Sequence, residues 1–152
     1  TANTNNTTLA TTAYVDRVSG AASSTPANPT GTTSTTAKMM GCAGAFTPTK
    51  SPKACLTITG QVANGTIADG SVVQVRYGTG TAPANAAAVT GTQVGASQTY
   101  TAKVAAQFDG FCIGGIVSGL TIGTAYWIDV ALNSVTGGTS TVTSLTITAT
   151  EE

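Results

Sequence analysis

The 152 residues are enough for one domain with a hydrophobic core, and only 8% of them are charged. Six lysines and arginines balance six aspartates and glutamates, so no net field attracts nucleic acid. Histidine is absent, which removes the commonest general base and the commonest metal ligand. The composition therefore argues against an enzyme, a metal site, a cofactor and a nucleic-acid partner.

The carboxylates do not restore an enzyme prediction, because the aspartates lie far from one another in the sequence. The acidic residues are Asp16, Asp69, Asp109, Asp129, Glu151 and Glu152. Two distant aspartates could still meet in the folded chain as a glycosidase pair, and this alternative stays open. We assign no catalytic residue and no metal ligand.

No apolar run approaches the roughly 18 to 20 residues that a membrane span requires. No basic stretch precedes an apolar one at the start of the sequence, as it would in a secretion signal. We therefore expect a soluble chain without a leader or a membrane partner.

The first predicted element is an anchor segment, residues 1–20. Its stretch NNTTLATTAYVDRV offers capping residues and about two helical turns, with Gly20 as a plausible stop. So short a helix is marginal alone in water, and we expect its apolar side chains to pack on a partner or in a bundle. These side chains are Leu9, Tyr14, Val15 and Val18. The alternative is a frayed terminus.

Residues 21–37 are predicted to be a linker, because Ser, Thr, Pro, Ala and Gly dominate them. Residues 38–152 are then the folded domain. An apolar anchor, a polar tether and a domain form the layout of an attached module.

The folded domain alternates apolar and polar residues in short runs. In ACLTITGQV, Leu56 and Ile58 lie on the face opposite the threonines between and beside them. In SVVQVRY, Val73, Val75 and Tyr77 share one face. This period of two is typical of half-buried β-strands.

Turn signals and the lack of helical periodicity after Gly20 decide the predicted fold class. An Asn-Gly pair and an Asp-Gly pair mark tight turns between the first strong strands. We predict an all-β, jelly-roll-like sandwich of about seven or eight strands behind a short helical or extended anchor. An immunoglobulin-like sandwich stays open, although Trp127 follows all three cysteines and so departs from the Cys, Trp, Cys order.

The three cysteines are Cys42, Cys55 and Cys112. Their number is odd, and their spacing lacks the paired form of a zinc site. Cys55 and Cys112 fall on the polar side of their strands, which favours a disulfide between subunits or to a neighbouring capsid protein. Cys42 and Cys55 could instead pair across a hairpin. The other alternative is three reduced thiols that act as small apolar residues.

Trp127 is predicted to lie on the outer face of its strand, beside Asp129 and Ala131. Such an aromatic ring needs cover from another subunit, or it stacks on a glycan together with Tyr77 or Tyr100. A third possibility is cover by a long loop. The small-residue loop 78–91 is either a binding loop at an exposed end or a segment packed on a neighbouring subunit.

Two resemblances are specific enough to name a family. NNTTLATTAYVDRV resembles the N-terminal L-A-T-T-A-aromatic-V segment of tailed-bacteriophage fibre and virion-surface proteins. VQVRYGTGTAPANAAAVTGTQVG and GLTIGTAYWIDVAL are similar to a β domain that recurs in predicted phage structural proteins. The resemblance implies a virion-surface component, commonly a homotrimer, and carries over no site residue.

Two functions follow from the layout and the resemblance. The first is a trimeric capsid decoration or head-fibre protein on the capsid exterior, whose partners are its own copies and other virion proteins. The second is a tail-fibre or tail-spike module that binds a host-surface glycan. A segment of about 37 residues reaches at most on the order of 120 Å, which favours a short capsid fibre over a long tail fibre.

Overall fold

The computed structural model describes residues 20–152, and the predicted anchor lies almost entirely outside them. These residues form nine β-strands and no helix, and accordingly no helix that could cross a membrane. The strands are β1 (Ala21–Ser24), β2 (Lys38–Met39), β3 (Gly44–Phe46), β4 (Lys53–Asn64), β5 (Gly70–Thr79), β6 (Thr92–Thr101), β7 (Asp109–Ser118), β8 (Tyr126–Ser134) and β9 (Ser140–Glu151).

The strands form two antiparallel sheets with the strand order of a jelly roll. The first sheet has the order β1-β9-β4-β7 and the second the order β2-β8-β5-β6, with the short β3 also paired to β8. Strands that follow one another therefore mostly lie in opposite sheets, and β5 and β6 alone form a hairpin among the long strands. This topology confirms the predicted all-β jelly-roll sandwich and replaces the immunoglobulin-like alternative.

The core fills the space between the two sheets, as the alternation predicts. Leu56 and Ile58 on β4 and Val73 and Val75 on β5 are each at most 1% exposed. Tyr77 points the same way and packs, half-buried, on the edge of this core. The inward faces of β4 and β5 were thus predicted correctly.

The predicted linker, residues 21–37, is instead part of the sandwich. β1 pairs with β9 from Ala21 opposite Thr150 to Ser24 opposite Ile147. Further along, Thr32 exchanges two backbone hydrogen bonds with Ser140, at 2.8 and 2.9 Å. This corrects the domain boundary from residue 38 to about residue 20, because backbone pairing at the edge of β9 orders a stretch that has few side chains to bury.

Close packing at glycines brings the sheets together on the other side, between β6 and β7. Gly95 has φ +63°, and a Cβ there would lie 2.8 Å from the carbonyl oxygen of Gly114. A Cβ on Gly114 would in turn collide with the backbone of Leu56. Neither position accepts a side chain without movement of the backbone, so the two sheets are packed closely along the β6–β7 side.

Candidate interaction surfaces

Four residues predicted to bind a partner, Leu9, Tyr14, Val15 and Val18, lie outside the described residues. Their role stays a prediction. The remaining candidates lie on three different parts of the sandwich, which are taken in turn below: the outer face of the second sheet, the outer face of the first sheet, and the two ends.

The outer face of the second sheet carries Trp127, as predicted, but its ring is only 6% exposed. It forms a small second core with Met39 and Ala131. Side chains from residues 78–91 pack over this core. They are Ala82, Ala87 and Val89.

Hydrogen bonds fix this loop over Trp127. Met39 donates its N–H to the carbonyl of Ala87 at 3.0 Å, and Ala86 donates to the carbonyl of Met39 at 2.8 Å. The indole Nε1 of Trp127 donates to the carbonyl of Thr79 at 3.1 Å. One side of the loop is therefore fixed over Trp127, while most of its residues stay exposed on the other side.

Trp127 is accordingly not available as a glycan platform or a subunit contact, and the third possibility, cover by a long loop, is the one found. The two tyrosines predicted beside it lie elsewhere. The Tyr77 ring faces the core side, 6.0 Å from the ring of Tyr126, and Tyr100 lies 6.1 Å from Phe111. The structure does not bring the three aromatic rings together.

The cysteines are all free, and they differ in exposure. Cys42 is buried next to Asp129, and burial, followed by the charge of Asp129, raises the pKa of its thiol. Cys55 is half-buried and Cys112 is exposed, both on the outer face of the first sheet. Cys42 faces the core and Cys55 faces outward, so the predicted alternative of a hairpin disulfide between them is wrong.

Asp129 is fully buried and holds a turn rather than a ligand. Its carboxylate accepts N–H groups from Gly41 at 3.0 Å and Cys42 at 2.9 Å. Burial raises the pKa of Asp129, because these hydrogen bonds only partly replace the lost water. Arg76 lies opposite Asp129 in the register but bonds to Gln74 and to the carbonyl of Gly91 instead.

One end of the sandwich, which we call the apical end, contains three short loops, 65–69, 102–108 and 135–139, and part of the longer connection between β1 and β2. Backbone hydrogen bonds join them, from Ala68 to Ala102 at 2.9 Å and from Gly65 to Thr139 at 2.8 Å. The opposite, basal end contains Gly20, where the anchor segment joins the sandwich. The two ends are separated by β9, whose 12 residues span about 40 Å.

The carboxylate of Asp69 binds the apical loops together. One oxygen accepts Ser134 Oγ at 2.6 Å, the Gly138 N–H at 2.7 Å and Asn64 Nδ2 at 3.1 Å. The other accepts the N–H groups of Gly70 and Thr136 at 2.7 and 2.8 Å. Burial alone would raise the pKa of Asp69, but the hydrogen bonds from Ser134, Thr136 and Gly138 outweigh it and lower the pKa.

Large apolar side chains project from these apical loops into solvent. Ile67 is 61% exposed, Val104 55%, Val135 50% and Phe108 44%. We call these four residues the apolar tip. They were missed in the sequence because each stands alone there, and only the jelly-roll topology places their loops at one end.

The basal end has a cavity of about 410 Å³ beside the point where the anchor segment joins. Its lining is uncharged and mostly small: Gly20, Ala21, Ala22, Ala45, Phe46, Thr47 and Thr49. Next to it, the Glu151 carboxylate accepts the backbone N–H groups of Thr49 and Lys50. This end therefore has no chemically reactive group aimed into its cavity.

Within residues 20–152, no cluster of three or more His, Cys, Asp or Glu side chains could hold a metal ion. Asp69 is the most highly coordinated carboxylate of this part of the chain, but its partners are N–H and O–H donors. A cation would need those same oxygens, so Asp69 is a structural residue.

Neither the family models nor the curated proteins include a match to this chain. Among solved structures, the chain is similar to one described as the structure of infectious bursal disease virus, Gx strain. The TM-score is 0.42 and the sequence identity 9%, over 88% of this chain and 30% of that chain. This likeness carries no functional argument.

We expect Gly91→Ala to expose Trp127, the only tryptophan in the chain. Gly91 has φ +71°, and a Cβ there would collide with the indole ring. The emission of Trp127 should shift to longer wavelength and become more readily quenched by acrylamide. Gly80→Ala is the matched control, because Gly80 has φ +80° in the same loop but nothing within 4 Å of its Cβ. Equal quenching in both variants would contradict the loop cover.

We expect Asp69→Asn to destabilise the fold by roughly 1 to 3 kcal/mol at pH 7, because buried donors lose a charged acceptor. The pKa of Asp69 is lowered in the folded state, so its contribution is present above the ordinary value of about 3.9 and is lost as pH falls below it. Urea unfolding at pH 7 and pH 3 should therefore show a smaller loss of stability on acidification in the variant. Glu152→Gln, at an exposed carboxylate, should behave like the unchanged chain.

Proposed function

We propose that the chain is a non-enzymatic structural protein of a bacteriophage virion, a capsid decoration or head-fibre protein attached by residues 1–20. The observation that carries the proposal is the position of Gly20, the first described residue, at the basal end of the sandwich. A chain held there presents its apical end about 40 Å further out. The sandwich then acts as a rigid projecting body.

The fold supports this proposal without deciding it. Jelly rolls build many viral capsid and lectin domains, and the sequence resembles phage virion-surface proteins in its anchor and in its β domain. The described surfaces offer saturated carboxylates and a covered tryptophan rather than a reactive cleft. A protein of this kind holds or binds other molecules.

The corrected domain boundary changes which residues are proposed to attach the chain. Residues 21–37 belong to the sandwich, so the proposed attachment lies before Gly20. The homotrimer and the position on the capsid exterior are part of the same proposal and rest on the resemblance.

The second candidate is a tail-fibre or tail-spike module that binds a receptor on the host. The resemblance supports it, because the similar N-terminal segment occurs in fibre proteins as well as in other virion-surface proteins. With Trp127 covered, a glycan would need a different platform, and Tyr77 and Tyr100 are both half-buried and packed on the core. The two functions differ in where the protein is found on the particle.

The test replaces the four apolar anchor residues in the full chain: Leu9→Ser, Tyr14→Ser, Val15→Ser and Val18→Ser together. We expect a folded protein that no longer joins particles, measured by immunogold labelling with an antibody to the sandwich. The control replaces four neighbouring threonines, Thr7, Thr8, Thr11 and Thr12, by serine. Undiminished labelling of the heads in the apolar variant would contradict the anchor, and labels confined to tail tips would favour the second candidate.

A disulfide between copies or to a neighbouring capsid protein is a further part of the proposal, and the burial of Cys42 narrows it to Cys55 and Cys112. Two thiols would lose two protons and two electrons to an oxidant such as dioxygen. Non-reducing electrophoresis of particles should show a band above the monomer that Cys112→Ser removes and Cys42→Ser keeps. A monomer band alone would contradict the cross-link.

A further inference from the structure

We propose that the apolar tip is a contact between copies of this chain, formed around a rotation axis at the apical end. The proposal does not depend on the virion assignment, because it concerns the described sandwich itself. It begins from Ile67, Val104, Phe108 and Val135, which come from three loops and are between 44% and 61% exposed.

Hydrogen bonds between the apical loops hold the apolar tip in a fixed position. Asp69 ties residues of loops 65–69 and 135–139 together, and Ala102 at the start of the third loop donates its N–H to the carbonyl of Asp69 at 2.9 Å. The other end of that loop is fixed by Ala106, which donates to the carbonyl of Asn64 at 2.8 Å. Apolar side chains that are exposed on a fixed frame lose little conformational entropy on binding. Grouped exposed apolar residues of this kind mark interaction sites.

The charges at the tip identify the partner. Lys103 and Asp109 lie on either side of loop residues 104–108 and are both exposed. Within the described part of the chain, neither has an ion-pair partner. A single lysine and a single aspartate make a surface that is complementary to itself: around a rotation axis, Lys103 of one copy meets Asp109 of the next.

The pattern of charges favours a second copy of the chain over two other kinds of partner. A surface built for an anionic membrane would carry an excess of lysine and arginine. A surface built for a charged protein would carry charges of one sign. The apical loops carry one exposed charge of each sign next to exposed apolar residues, which suits a contact between copies.

The experiment measures the mass of the full chain by analytical ultracentrifugation over a range of concentrations. Ile67→Ser and Phe108→Ser should each weaken self-association by about tenfold or more. Ile122→Ser is the matched control, because Ile122 is 52% exposed at the basal end. All these side chains lie at the surface, and a thermal melt checks that each variant is folded.

Charge-reversal variants test whether Lys103 of one copy pairs with Asp109 of the next. Lys103→Asp and Asp109→Lys should each weaken association, because each creates a pair of like charges in every contact. The double variant Lys103→Asp with Asp109→Lys should restore it. A mass that none of the tip variants changes overturns the proposal, as does an equal effect of Ile122→Ser. Binding to uncharged phosphatidylcholine vesicles through Ile67 and Phe108, without self-association, overturns it in favour of a membrane contact.

Discussion

The buried carboxylate of Asp69 is the interaction on which the apical end depends. Taking a charge out of water is costly, and here five N–H and O–H donors offset the cost. Those donors come from separate segments of the chain, so one side chain sets the relative positions of the loops. The large apolar residues above it are therefore exposed in a fixed arrangement, not as a flexible patch that could fold inward.

Two other carboxylates of this weakly charged chain also accept hydrogen bonds from backbone N–H groups. Asp129 accepts the N–H groups of the turn at Gly41 and Cys42, and Glu151 accepts those at Thr49 and Lys50. Three acidic residues thus satisfy backbone groups that the strands leave unpaired. Asp109 and Lys103 take no part in this use of charge within the described residues.

What could be predicted from the sequence depended on side-chain alternation. The strands around Leu56 and Val73 were predictable because one face of each is buried and the other is polar. β1 was not, because its Ala and Ser residues bury little and the strand exists through backbone pairing to β9. The cover of Trp127 was left open among three possibilities, since a loop of small residues gives no signal of where it packs.

The topology explains why the ends of the sandwich differ. Strands β4, β6 and β8 run from the basal to the apical end, and each is followed by a strand that returns. Three of the apical connections are short, whereas the long loop between β5 and β6 starts from the basal end and lies over Trp127. A short loop tied at both ends has little freedom to bury its own apolar side chains. The side chains at the apolar tip can therefore lose contact with water only against another molecule, and they lie at the end of the sandwich opposite Gly20.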